Sequence, residues 1–194
     1  MNDILRLGLS VVAYTLLFSW AIYSLAQPVR ASDYVGSFSK VPAIHNRPPR
    51  VAPWRLSPTV IVCAYAPVSH IQINSAVQYW KNLGYRFLNT QYKNDPLKKC
   101  EDPNPKGYIV IHLVTSGVSM EDTSLAQTHF YVDNNTNTVE WAIIYMRPNI
   151  KETVLEHELG HALGFLHYNK NNHLMNQKWI LGGWDKDGLE NKRQ

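Results

Sequence analysis

The sequence predicts a domain of the α/β or α+β class, in which a sheet packs on helices. Three observations favour this class. Short apolar runs rich in β-branched residues have the composition of strands. Other segments carry apolar residues at helical spacing, and a polar cluster of turn-forming residues separates two of the strand-like runs. The hydrophobic content of 45% and the charged content of 18% are ordinary for a globular chain.

The first recognisable segment is apolar and uncharged and covers residues 7–26, directly after Arg6. At about 20 residues it is long enough to span a bilayer as a helix and longer than the apolar region of most signal peptides. Small residues make cleavage after Ala26 or after Ala31 possible. We therefore expect an exported protein, in which residues 1–31 are either a cleaved signal peptide or an N-terminal membrane anchor.

Residues 32–57 are rich in proline and lack periodicity, which is typical of a linker or a short pro-segment. The following stretch, residues 58–194, is long enough to bury one hydrophobic core. The net charge of +4 is mild, and no run of Lys and Arg is interleaved with aromatic residues. This pattern argues against a nucleic-acid-binding surface.

Five segments of this stretch are predicted to be strands. The second is the weakest candidate, and the last two are joined by a polar cluster and form a predicted hairpin. The segments are 59–64, 85–88, 108–113, 128–132 and 139–146.

Two helices are predicted between and after these strands. Apolar residues recur at helical spacing between 73 and 80, and Gly84 is placed to end that helix. The second helix is predicted to begin near Asn149, whose side chain can cap it together with Glu152 three residues later.

The second helix carries the most specific pattern of the chain, H-E-x-x-H-x-x-G-x-x-H over residues 157–167. Helical geometry places His157 and His161 one turn apart on the same face, so both imidazoles can reach one ion. Gly164 can end the helix in a left-handed turn, after which His167 can supply a third ligand. Three histidine ligands and an open fourth position predict one catalytic Zn²⁺ ion.

Glu158 stands beside the first ligand and is the predicted general base. Its carboxylate can take the proton of a zinc-activated water and pass it to a leaving amine. The alternative that spacing alone allows is a core helix whose histidines are hydrogen-bonded and metal-free.

This motif resembles that of the metzincin metalloproteases, and most closely that of their matrixin branch. Met175 follows His167 at the eight-residue distance at which matrixins carry the methionine of the Met-turn. By this resemblance, Met175 forms an apolar floor beneath the ligands without coordinating the ion. Trp179 takes the place of a matrixin tyrosine, so it either walls the pocket for the residue after the cleaved bond or is an ordinary core tryptophan.

The resemblance implies a metzincin-like (zincin) domain, in which a twisted mixed sheet packs on two helices. A short lower subdomain with the Met-turn follows the zinc helix. The implied activity is that of a metalloendopeptidase on extended protein or peptide substrates. The protein is expected to be a monomer and to bind no nucleic acid. In the family the substrate lies antiparallel to the edge strand of the sheet, here residues 126–132.

Several features depart from the matrixin pattern. No cysteine precedes Cys63, so latency through a zinc-bound cysteine is not expected, and Cys63 and Cys100 form either a disulfide or two separate thiols. The glycine-rich loop that holds further ions in matrixins has no counterpart, so His112 and His129 are expected to be structural or solvent-facing. The acidic positions Asp185 and Asp187 either steady the Met-turn or belong to a solvated end, while His173 is expected to be structural or solvent-facing.

Two other functions remain compatible with the residues. One is a non-catalytic, zinc-stabilised binding module that uses the edge strand to hold a partner, although such a module would not need Glu158. The other is a membrane-tethered processing or lysis factor, which would associate with a membrane through residues 7–26.

Overall fold

The structure is a computed structural model that describes residues 29–30, 47–92, 95, 97–115, 118, 120 and 123–191. Within these residues a six-stranded sheet packs on two helices, which confirms the predicted α/β class. The predicted apolar segment, residues 7–26, lies outside the described residues. In the described part of the chain, no helix has the length and hydrophobicity needed to cross a membrane.

The sheet is mixed, with parallel inner strands and one long antiparallel strand. Its order is β1-β5-β6-β4-β2-β3, where β2 is parallel to β3 and β4, and β4 is parallel to β6. β5 is antiparallel to β6 on one side and to β1 on the other. The strands are β1 (Val29–Arg30), β2 (Thr59–Val62), β3 (Thr90–Tyr92), β4 (Tyr108–Leu113), β5 (Ala126–Asp133) and β6 (Thr138–Met146).

The helices are α1 (His70–Asn82) and α2 (Val154–Ala162), and a short 3-10 helix (Trp179–Leu181) follows them. Ser69 caps α1 in a reciprocal capping box, and α1 buries one apolar face that includes Ile73 and Trp80. Gly84 follows the helix with a φ of +91°, a left-handed conformation that favours glycine. The predicted periodicity and stop of this helix are therefore confirmed.

The two faces of the sheet are covered differently. Val60 and Val62 of β2 belong to the main core beneath the helices, whereas the alternate residue Ile61 belongs to a separate cluster. That cluster also contains Cys63 and Cys100, which are joined in a disulfide. Of the two alternatives for the cysteines, the disulfide is the one that the structure contains.

The segment 85–88 is not a strand, so this prediction was wrong. The amide of Tyr85 donates to the carbonyl of Trp80 at the end of α1, and the amide of Leu88 donates to the carbonyl just before β2. The first bond belongs to the end of the helix, and the second is a single bond outside any ladder. The segment that pairs with β2 is Thr90–Tyr92, which follows residues 85–88.

The start of the second helix was also predicted wrongly. α2 begins at Val154, its N-cap residue is Thr153, and no side chain caps it. Asn149 and Thr153 adopt φ values of +60° and +67°, which a continuous right-handed helix cannot include. The predicted cap of Asn149 with Glu152 is therefore replaced by a turn that precedes a shorter helix.

Residues 47–57, the described end of the segment predicted to be a linker or a short pro-segment, pack against the domain. The amide of Val51 donates to the carbonyl of Gly164 at 2.8 Å, and the indole of Trp54 donates to the carbonyl of Ala162 at 2.8 Å. Ala52 is buried between them. This segment therefore satisfies backbone carbonyls that the end of α2 leaves without helical partners.

Candidate metal centre

Three imidazoles converge where α2 and the chain after it meet. One ligand atom each from His157, His161 and His167 lies within 4.8 Å of the others. The Nε2 atoms of His161 and His167 are 3.1 Å apart, and two ligands of a tetrahedral zinc lie about 3.3 Å apart when Zn–N is about 2.0–2.1 Å. The three predicted ligands are therefore close enough to hold a metal ion. No second group of three such side chains is found among the described residues.

Backbone carbonyls orient two of the rings. Nδ1 of His157 donates to the carbonyl of Leu174 at 2.7 Å, and Nδ1 of His161 donates to that of Phe165 at 2.7 Å. A proton on Nδ1 leaves the Nε2 lone pair free, which is the tautomer that binds a metal. The spacing motif predicts the ligands but carries no information about these carbonyl partners.

Burial keeps the three imidazoles neutral. It lowers the pKa of His157 and the pKa of His167 to about 4, and it lowers the pKa of His161 well below its usual value. Repulsion between the neighbouring imidazolium forms adds to the effect on His161 and His167. Neutral imidazole is the form that coordinates metal ions.

The third ligand reaches the cluster through the turn at Gly164. This residue has a φ of +93°, and a Cβ there would lie 2.1 Å from the carbonyl oxygen of Ala52. A side chain at this position would therefore be strained and would also clash with backbone. Glycine allows the chain to leave α2 and return towards the cluster at His167.

Met175 packs directly on the ligand helix. Its side chain is fully buried, and a Cβ at Gly160 would lie 2.5 Å from its sulfur. Because Gly160 lies between His157 and His161, the methionine supports the part of α2 that carries both ligands. Met175 is therefore an apolar contact of the ligand helix.

The turn around Met175 is held by His173, which the sequence analysis expected to be structural or solvent-facing. The amide of Met175 donates to Nδ1 of His173 at 3.0 Å, so Nε2 carries the proton and donates to the carbonyl of Asp187 at 3.1 Å. His173 is thus a buried link between this turn and the C-terminal segment.

Asp185 and Asp187, which follow the turn, contact it through their backbone carbonyls and bind Lys170 through their carboxylates. The amide of Leu174 donates to the carbonyl of Asp185 at 2.8 Å. The carboxylates of Asp185 and Asp187 lie 2.6 Å and 2.7 Å from the Lys170 ammonium. Both residues therefore steady the turn, which is the first of the two alternatives given by the sequence.

Glu158 is buried between α2 and β5, next to Thr128. The Thr128 hydroxyl donates to Oε2 of Glu158 at 2.5 Å, and it lies 3.2 Å from the Glu158 carbonyl oxygen. Burial raises the pKa of Glu158 to about 7, and the hydrogen bond from Thr128 opposes this rise. A carboxyl group with this pKa can both accept and release a proton near neutral pH.

Sequence reasoning did not single out Thr128. The available indication is strand alternation, because Thr128 shares the buried face of β5 with Phe130 and Val132. A polar side chain on a buried strand face requires a hydrogen-bonding partner. The sequence does not identify Glu158 as that partner, since the two residues are 30 positions apart.

Trp179, His112 and His129 are not part of the metal cluster. Trp179 is 46% exposed, so the alternative of a core tryptophan is wrong, and its indole donates to the carbonyl of Glu152 at 2.9 Å. The rings of His112 and His129 pack on Tyr145, with centroid distances of 5.7 Å and 5.4 Å. These two histidines are therefore structural, as expected.

No protein-family model matches the chain, and comparison with curated proteins gives no match.

Proposed function

We propose that this protein is a zinc-dependent endopeptidase of the metzincin type, with a matrixin-like catalytic domain. The observation that carries the proposal is the convergence of the imidazoles of His157, His161 and His167. Glu158, which directly follows His157 in the ligand helix, is buried and contacts Thr128 of β5. The mixed sheet with one antiparallel strand, the ligand helix ending at Gly164 and the buried Met175 beneath it support the family assignment.

The donor set fits zinc. Three imidazole nitrogens, with no further ligand grouped with them among the described residues, suit an ion that keeps one position for water, as catalytic Zn²⁺ does. His157, His161 and His167 would hold the ion through Nε2, since Nδ1 of the first two is occupied by carbonyl partners. When bound, Zn²⁺ supplies a Lewis acid that acidifies water and polarises a carbonyl group.

Glu158 supplies the acid–base chemistry of the proposed reaction. Its carboxylate takes a proton from the attacking water, whose oxygen bonds to the carbonyl carbon of the substrate. When the C–N bond breaks, the same carboxyl group delivers the proton to the leaving amine. Thr128 holds Oε2 at 2.5 Å and so fixes the orientation of the carboxylate during both transfers.

The proposed substrate is an extended peptide that adds to β5. This strand lies at the antiparallel end of the sheet, and Thr128 on it contacts Glu158. Backbone hydrogen bonds to β5 would align the peptide, while side-chain pockets would select the sequence. The activity would be exerted outside the cytoplasm, either by a secreted or by a membrane-anchored enzyme.

The test replaces Glu158 by Gln in the full chain and measures bound metal and peptide cleavage. We expect one zinc per chain to be retained and the rate to fall by a factor of about 10²–10⁴, as for loss of a general acid–base. Glu156→Gln, on the same helix, is the matched control and should retain the wild-type rate. Wild-type cleavage by Glu158→Gln, or no zinc in the wild-type protein, would contradict the proposal.

A further inference from the structure

The outer edge of β5 is already paired with another part of the same chain. β1 lies antiparallel to β5, with Val29 opposite Phe130 and Arg30 opposite His129. The inner edge of β5 is paired with β6 over its whole length. A strand added to β5 can therefore bind only on the edge where β1 lies.

This pairing is next to the proposed catalytic carboxylate. The β5 residues opposite β1 directly follow Thr128, whose hydroxyl donates to Glu158. A peptide that added to β5 at this point would use the same backbone groups of His129 and Phe130. β1 and such a peptide therefore exclude each other.

We propose that the Val29–Arg30 segment is the resident occupant of the β5 edge and that an extended peptide substrate must displace it. This inference rests on the proposed endopeptidase function. The segment belongs to the same chain, so its effective concentration is on the order of millimolar and a dilute peptide competes poorly. The contact is short, so it weakens peptide binding without blocking the site permanently.

The position of Val29–Arg30 in the sequence means that N-terminal cleavage during export could keep or remove the contact with β5. Val29 and Arg30 lie between the two positions at which cleavage of the N-terminus is possible. Cleavage after Ala26 leaves the strand on the protein, whereas cleavage after Ala31 removes it. The choice of cleavage position would thus determine whether the mature enzyme carries its own competitor.

The test compares two double variants of the zinc-loaded full chain in detergent. V29P/R30P keeps the segment extended but removes both backbone N–H donors, and V29A/R30A is the control that retains them. Amide hydrogen exchange across β5 reports the pairing, and the KM for an extended peptide reports the competition. Because neighbouring residues of β5 direct their amides alternately to β1 and β6, we expect faster exchange at the one amide of His129 and Phe130 that faces β1. We also expect a KM lower by a factor of about 5–30 in the proline variant only, with kcat unchanged.

Equal exchange in the two variants would overturn the inference, whatever the level of activity, and so would an equal KM where peptide is cleaved. Faster exchange in the proline variant, with no cleavage by any variant or by the wild-type protein, would support the strand contact and overturn the proposed endopeptidase function. The two proposals therefore fail in different measurements.

Discussion

Thr128 and Glu158 form the least expected contact of the site. A buried carboxylate is costly unless a hydrogen bond stabilises it, and the Thr128 hydroxyl supplies such a bond at 2.5 Å. The sequence identified Glu158 from its place in the motif, which depends on local helical spacing. Thr128 could not be identified in this way, because its role depends on how β5 packs on α2.

Replacing Thr128 should impair turnover more than binding. Loss of a hydrogen bond to a charged group costs about 1.5–3 kcal/mol, which corresponds to a kcat lower by a factor of about 10–160 in Thr128→Ala. Thr128→Ser should recover most of kcat, and KM should change by less than about twofold in both variants. Steady-state kinetics measure this, with Thr138→Ala as a control that removes another buried hydroxyl. An unchanged kcat in Thr128→Ala would show that the contact has no part in orienting Glu158.

The metal-free protein should lose stability as the pH falls. The unfolded chain protonates its histidines below pH 6.5, whereas His157 and His167 in the folded protein resist protonation down to about pH 4. The unfolded state therefore binds more protons in this window, so lowering the pH favours unfolding. Glu158 and Glu156 act in the opposite direction, because burial raises the pKa of each, to about 7 for Glu158. They are two groups against the three ligands and two further histidines, His112 and His173, whose pKa values are also lowered by burial.

Urea unfolding of the chelator-treated protein at about pH 7.5 and about pH 5.5 measures this dependence. The free energy of unfolding should be lower at the acidic pH. In a variant with all three ligands replaced by Asn, the loss should be much smaller. A wild-type protein that is equally stable at both values would contradict neutral burial of the triad.

Among the secondary-structure elements, the end of the ligand helix was predicted correctly from the motif, whereas its beginning was not. Gly164 marks the end because a left-handed turn requires a residue without a side chain. The beginning was misplaced because the positive φ values of Asn149 and Thr153 depend on their environment in the fold. Likewise, the packing of residues 47–57 could not be predicted, because their partners at Ala162 and Gly164 are distant in sequence.

Two glycine substitutions separate backbone strain from steric clash. Gly107 has a φ of +83° and open space around it, so Gly107→Ala should lose about 1–2 kcal/mol of stability from strain alone. Gly164→Ala adds a 2.1 Å clash with Ala52 and should lose at least about 3 kcal/mol. Because the turn also positions His167, zinc affinity should fall only in Gly164→Ala. Denaturant unfolding and zinc titration measure both effects, and equal losses in the two variants would contradict the argument.

For the whole molecule, the α/β class followed from the sequence because strand composition and helical periodicity are local. The strand order did not, since it depends on pairing between distant segments such as β4 and β6. The same holds for the occupation of the β5 edge by β1, which no local pattern indicates.

The disulfide should stabilise the whole domain without taking part in the chemistry. Cys63 and Cys100 are 37 positions apart, and closing a loop of this size stabilises the folded state by about 4 kcal/mol. Both cysteines pack with Ile61 on the sheet face opposite the main core, whereas the proposed site lies with α2 on the core side. Reduction should therefore lower Tm by about 8–16 °C and leave kcat/KM at lower temperature unchanged.

Thermal unfolding with and without reductant measures the first effect, and peptide cleavage measures the second. The chain has two cysteines, so the reductant acts on one bond, and C63A/C100A should show no further response. A lower kcat/KM after reduction, at a temperature where the protein stays folded, would mean that the disulfide transmits strain through β2 to the site. An unchanged Tm would mean that the packing of Ile61 and Val110 alone holds the two segments together.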